Sequence, residues 1–231
     1  METLALGGQR RAFAVRFAAY IVGLFVLTFG TTLSINTRMG LSAGNTFPYV
    51  FSLAAGISFG YGLIAVYCSY VVLQFVLLGR ECPKRTLLQV PVALVYGRFA
   101  DFWVWVIGDF APDSYWGRLV MLGVSIVFVG LGVALYITPN IMTNPIEGLA
   151  FAVASRLKWP FYKGKTLVDC LSVVFGIALA LAFLGYVTGI REGTILSAVL
   201  TGGTANIFFG IGEPVVARLA GTDSFLRKRA K

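Results

Sequence analysis

The stretches GTTLSINTRMGLSAGN (residues 30–45) and GVALYITPNIMTNPIE (residues 132–147) decide how this chain is read. At an offset of 102 residues they align Gly30 with Gly132, 32–35 with 134–137, Ser42 with Asn144 and Asn45 with Glu147. A second echo sets Gly97 and Asp101 against Gly202 and Asn206, at an offset of 105. The chain therefore reads as two diverged copies, approximately 13–110 and 116–216, followed by a basic tail over 217–231. Each copy holds three apolar runs long enough to cross a bilayer, and an odd number per copy turns the second upside down relative to the first. Inverted duplication, with a binding site where the halves meet, is a recurring plan of secondary transporters.

Composition places the chain in a membrane. Hydrophobic residues make up 58% and charged residues 13%, with a mean hydropathy of +0.82, whereas soluble domains carry about 25% charged residues. Apolar windows of the length needed to cross the hydrocarbon core fall near 17–35, 60–78, 87–107, 119–137, 166–184 and 195–215. They predict one membrane domain over 1–231: all-α, with about six transmembrane helices as two inverted three-helix repeats, each with a short re-entrant or interfacial helix. Arg10, Arg11 and Arg16 before the first run also fit a secretory leader. That run has a twin in the fourth, which a discarded leader would lack, so it is expected to stay.

Cys68, Cys82 and Cys170 form no C-x-x-C pair and histidine is absent. Neither a disulfide nor a metal framework is indicated, no cofactor is expected, and any proton relay would run through carboxylates.

With a cytoplasmic amino terminus, 15 of the 19 basic residues fall in cytoplasmic segments. Arg38, Arg118 and Arg191 lie outside and Arg98 within a span, so the positive-inside rule is met on every loop. Both termini are thus expected on the cytoplasmic side of the membrane. The net charge of +9, spread over all cytoplasmic segments, points to anionic lipid headgroups and not to nucleic acid.

Between spans one and two, 36–41 leads into an apolar piece over 42–56, and between spans four and five, 138–143 leads into 144–157. Both pieces are too short to span. Ser42 and Asn144 suit the N-cap, with Asn45 and Glu147 at the third helical position and Pro145 in the first turn. Each beginning leaves unpaired N–H groups and partial positive charge. As re-entrant helices the two ends would face each other at the bilayer centre and hold a solute; as interfacial helices their caps would serve stability alone.

Arg98 and Asp101, at i, i+3 in span three, share a helix face. Charges at such depth mark pathways for substrate or ions, or neutralise each other structurally. Asn206 stands opposite Asp101 in the repeat. The candidate substrate-binding set is Arg98, Asp101, Asn206, Ser42, Asn45, Asn144 and Glu147, and no catalytic residue is assigned. Glu147 reads either as half of a capping box or as a carboxylate at the cavity. Asp169 near Lys165 reads as an intrahelical ion pair, and Gln74 and Gln89 as interhelical hydrogen-bond partners.

Several short motifs carry a resemblance. They are Arg16 leading into 20–24, Gly30 to Gly40-Leu41-Ser42, Gly97 with Asp101, Asn144-Pro145 with Glu147, Lys165 with Asp169, and Gly193-Thr194. Together they make the chain similar to the YczE/YitT-like bacterial multi-pass membrane proteins, the YczE-like branch being closer. Ala43 departs from that pattern, which would set a proline after the serine. The resemblance implies a cytoplasmic-membrane protein and no particular reaction.

Three functions are compatible with this reading: a secondary transporter or permease for a small polar or ionised solute, a noncatalytic membrane scaffold or regulatory subunit, and the substrate-capture subunit of an ATP-driven importer. The scaffold predicts a stoichiometric partner protein, and the importer subunit requires a partner ATPase, since the chain has no Walker motif of its own; homo-oligomers fit any of the three. An enzyme is disfavoured by the absence of HExxH, G-x-S-x-G and histidine.

Overall fold

The structure, a computed structural model, describes the backbone of residues 2–220 and the side chains of 12–210. The expected basic tail lies outside the described residues from 221 onward. Within these limits the chain is helical: α1 (Glu2–Asn36), α2 (Ala43–Ala55), α3 (Phe59–Leu78), α4 (Gln89–Ile107), α5 (Tyr115–Ile137), α6 (Pro145–Leu157), α7 (Phe161–Phe183) and α8 (Glu192–Ala220), with two 3-10 turns between α3 and α4. Six helical segments are long and apolar enough to cross a membrane: Ala12–Asn36, Phe59–Glu81, Lys84–Ile107, Tyr115–Ile137, Phe161–Phe183 and Glu192–Gly210. The chain is a multi-pass membrane protein. At 13 residues each, α2 and α6 extend about 20 Å, short of the hydrocarbon core.

The turns between spans gather on two faces. On one, Asn36 donates to the carbonyls of Gly108 and Phe110, the Leu41 amide to Gly189, and Arg191 to the Arg38 carbonyl. On the other, Arg16 donates to Pro139 O and Gln89 to Thr143 Oγ1. Alternate connections thus lie on opposite sides, as spanning helices require.

Local chemistry sets the helix ends. Ser58 and Ser114 accept from the backbone of Tyr61 and Gly117 at 3.3 and 3.0 Å, capping α3 and α5. Gly56, at φ 64, closes α2 as its amide and that of Ile57 bond back to Leu53 and Ser52. Pro48 inside α2 cannot donate, which frees the Gly44 carbonyl. Ser172 Oγ of α7 donates to that carbonyl and accepts from the Phe47 amide, both at 3.3 Å. Non-helical demand inside the membrane is met by a neighbouring helix.

α1 and α5 cross antiparallel with their backbones touching. A Cβ at Gly30 would stand 2.7 Å from the Val129 nitrogen, one at Gly132 2.5 Å from the Leu27 nitrogen, and one at Gly23 2.4 Å from the Tyr136 nitrogen. Small residues permit such approach, since lipid offers no hydrophobic drive between helices. α2 and α6 both sit between α3 and α7. Gly62 of α3 lies against Pro48 O and Ser52 of α2, and Gly164 of α7 against Ala150 O and Ala154 of α6. The side chains buried at this junction include Tyr20, Leu24, Leu63, Tyr67, Tyr96, Ala100, Tyr136 and Leu149. Val76, Trp105 and Ile195 are exposed on the outside of the bundle, where a bilayer would cover them.

Candidate functional site

The two short helices begin at one place, in the middle of the molecule. α2 runs antiparallel to α3, with Asn45 beside Tyr67 and Tyr49 beside Phe59, so it starts at depth and climbs back towards the face that carries Arg38 and Arg191. α6 starts where Gln74 donates to the Pro145 carbonyl at 3.3 Å and runs antiparallel to α7, Ala150 and Ala154 meeting Gly164. A Cβ at Gly44 would lie 2.5 Å from Ile146 Cδ1, 3.1 Å from Asp169 Oδ1 and 3.6 Å from Lys165 Nζ. Ala43 and Pro145 each open their helix, so the missing proline at 43 leaves the start of α2 in place.

The Gln74 and Gln89 amides pair reciprocally at 2.8 and 3.2 Å, as the sequence suggested. Through Pro145 and Thr143 they fasten the approach to α6. Lys165 and Asp169 form the expected i, i+4 ion pair, 2.5 Å apart and half-buried.

Ser42, Asn45, Asn144 and Glu147 come together, but their side chains do not cap. Neither the Ser42 nor the Asn144 side chain accepts from a backbone amide of its helix. On α2 the polar groups satisfy one another: Asn45 Nδ2 donates to Ser42 Oγ at 3.1 Å and Tyr67 OH to Asn45 Oδ1 at 3.0 Å. On α6 they are left open. Asn144 is 2% exposed with Oδ1 lacking a partner, and Glu147 Oε2 is shielded from solvent without a donor. The hydroxyls of Tyr20 and Tyr136, both buried, also lack partners. Unmade bonds of this kind each cost about 1–3 kcal/mol.

Glu147 is ringed by tyrosines. Its charge reaches Tyr20, Tyr67, Tyr96 and Tyr136, while Lys165 and Asp169 act on it in turn. Tyr67 stacks between Tyr70 and Tyr96 at centroid distances of 6.0 and 5.6 Å, and Tyr20 meets Tyr136 edge-on at 6.2 Å. Burial raises the Glu147 carboxyl above the ordinary glutamate range, opposed in part by the Lys165 ammonium.

Arg98, Asp101 and Asn206 stand elsewhere and do not form one cluster. Asp101 is level with the beginning of α3, where its carboxylate accepts from the Gly60 amide at 2.8 Å and Ser58 Oγ at 3.0 Å. It caps that helix from a neighbour. The closeness needs two glycines, since a Cβ at Gly60 would lie 2.1 Å from the Gly97 carbonyl. Arg98 does not pair with Asp101. It is exposed, stacked 4.6 Å over the Tyr61 ring with its Nη2 3.2 Å from the Tyr61 hydroxyl. Asn206 is exposed on α8, which packs chiefly on α5 and α1.

A cavity of about 370 Å³ opens at the face opposite Gln89, lined by Arg38, Arg191, Tyr49, Leu41 and Gly189 among others. Leu41, 2% exposed and bonded through its amide to Gly189, forms part of its wall. Gly40 there adopts φ 106 against Thr194 and Arg191, a conformation and a closeness that side chains disfavour.

Sequence reading took Lys165 only as the ion-pair partner of Asp169 and missed the tyrosines. Their signal is position: interfacial tyrosines belong at span ends, whereas Tyr20, Tyr67 and Tyr96 lie well inside theirs.

The profile of DUF6198, a family of unknown function, matches residues 14–210, nearly all of the membrane domain. The chain belongs to DUF6198. It is 26% identical to YyaS of Bacillus subtilis over 200 residues, covering 86% of this chain and 94% of that one. It is also 26% identical to the membrane protein YczE of the same organism over 198 residues, covering 84% and 85%. The YczE-like resemblance carried by the short motifs thus extends across this DUF6198 chain. No solved structure matches.

Proposed function

We propose that the protein is a small secondary transporter or permease of inverted two-fold design, holding a small polar or ionised solute between the beginnings of α2 and α6. The observation that carries this reading is the meeting of Gly44 with Ile146, which are each other's mates at the offset of 102. Two equivalent residues in contact lie on the axis that relates the copies, and open polar groups stand beside them.

Reciprocal contacts support the axis, for a two-fold makes residue i meet j and the mate of j meet the mate of i. Gly30 meets Val129 and Gly132 meets Leu27; Gly62 meets Ser52 and Gly164 meets Ala154; Thr46 meets Gly176 and Gly148 meets Gln74. Each couple maps onto the other at 102. The antiparallel crossing of α1 and α5 fits an axis in the membrane plane, the geometry of transporters that rock one half against the other.

The cavity at Arg38 and Arg191 serves as the vestibule on the outer side, with Leu41 between it and the centre. The basic residues support a cytoplasmic-membrane location with both termini inside, anionic lipid headgroups lying against the inner face. The substrate-facing residues are Asn144, Glu147, Asn45 and Ser42, joined by Tyr20, Tyr136 and Lys165.

Purified protein in proteoliposomes, challenged with a panel of labelled small polar cations, anions and zwitterions, should accumulate or exchange one class. Asn144→Leu should abolish this while Asn206→Leu leaves it intact. Absence of flux for every class, or equal flux in Asn144→Leu, would overturn the reading.

A further inference from the structure

The central carboxylate has a property that solute binding alone does not require. Glu147 Oε2 is closed off from solvent and accepts no hydrogen bond, while the neighbouring hydroxyls of Tyr20 and Tyr136 are also unmatched. Burial of this oxygen penalises the carboxylate and not the carboxylic acid, and the helix's own backbone, the Tyr136 hydroxyl and Lys165 offset only part of that penalty. The groups that face it are the phenols of Tyr20 from α1, Tyr67 from α3, Tyr96 from α4 and Tyr136 from α5, and the Lys165–Asp169 pair from α7. Asn45 from α2 is not titratable. The one cation among them, Lys165, is already engaged by Asp169 at 2.5 Å. The charge balance around Glu147 is therefore met without Glu147.

We infer that Glu147 is a proton-binding site at the centre of the protein, neutral in the closed arrangement seen here and ionised when either face opens water to it. The proton adds to a carboxylate oxygen from water on one side and returns to water on the other, with no other bond made or broken. The inference deepens the transporter reading by naming the coupling ion: the site binds a solute and a proton in the same chamber, so movement of the two is linked.

The test is infrared difference spectroscopy on the purified full chain in lipid nanodiscs, with a pH step as the only stimulus and no solute present. Lowering the pH across roughly 8 to 5 should raise the carbonyl band of a protonated carboxylic acid, with a midpoint above the ordinary glutamate value of about 4.3. Glu147→Gln, neutral and of equal size, should delete that band and leave the fold intact. Lys165→Met should shift the midpoint upward and Asp169→Asn downward, because losing a positive neighbour disfavours the ionised form and losing a negative one favours it.

A spectrum unchanged by Glu147→Gln, or a midpoint in the ordinary range that ignores Lys165→Met, would overturn the proton site. The two readings fail separately. Flux without the Glu147 band removes the proton and keeps the transporter, whereas the band without flux in the solute panel keeps the proton site and removes the transporter.

Discussion

α2 and α6 have the same length and the same setting between α3 and α7, but their first turns differ. On α2, Ser42, Asn45 and Tyr67 close a chain of hydrogen bonds. On α6, the mates of Ser42 and Asn45 are Asn144 and Glu147, and both keep an unmatched buried oxygen. The setting is shared and the chemistry is not. α2 supplies a completed end and α6 an open one, so function and stability should separate along this line when either end is changed.

The largest expected effect strikes the shared scaffold. Gly62→Val and Gly164→Val each drive a side chain into a facing backbone carbonyl, 2.8 Å from Pro48 O and 2.5 Å from Ala150 O at the Cβ alone. Each should cost about 3 kcal/mol, seen as matched falls in the melting temperature of detergent-purified protein. Unequal falls would separate the copies that the reciprocal contacts join.

Next comes the cap that α4 lends to α3. Asp101→Ala removes the acceptor for Gly60 N and Ser58 Oγ and should lower stability by about 2 kcal/mol, while solute flux by the surviving folded protein continues. Glu147→Gln should do the reverse, keeping stability and ending flux. If Asp101→Ala spared the melting temperature and ended flux, the solute site would move to α4.

The contrast between the two short helices is tested most narrowly by Tyr67→Phe against Asn144→Leu. The first strips Asn45 Oδ1 of its donor and should cost about 1 kcal/mol. The second deletes an oxygen that had no partner and should leave the melting temperature level or raise it. Least affected is Asn206→Leu, exposed on α8, expected to stay within about 0.5 kcal/mol.

Much of the architecture was legible in the chain. Six spans and both short helices fall within a few residues of their expected places, because apolar length is a local property. Gln74 with Gln89 and Lys165 with Asp169 were also readable, being polar groups in apolar surroundings that need nearby partners. The supposed cluster of Arg98, Asp101 and Asn206 was misleading for a physical reason. Position along a span does not give depth relative to other helices, and Asp101 is level with the start of α3. The tyrosine ring was hidden because single tyrosines within apolar runs raise no signal, and their convergence is a tertiary fact. Gly62 and Gly164 make matching contacts from α3 and α7, but as isolated glycines among unlike neighbours they carry no motif.

The central claim is that the two short helices meet at Gly44 and Ile146, deep among the spans. It is tested most directly by cross-linking Gly44→Cys to Ile146→Cys in native membranes, with Cys68, Cys82 and Cys170 replaced by serine or alanine, using an oxidant or a short bifunctional thiol reagent. The account expects efficient intramolecular cross-linking, together with poor labelling of either cysteine by a charged, membrane-impermeant reagent in the closed state. No cross-link, with both cysteines labelled freely from opposite faces, would place the helices on the membrane surfaces and contradict it.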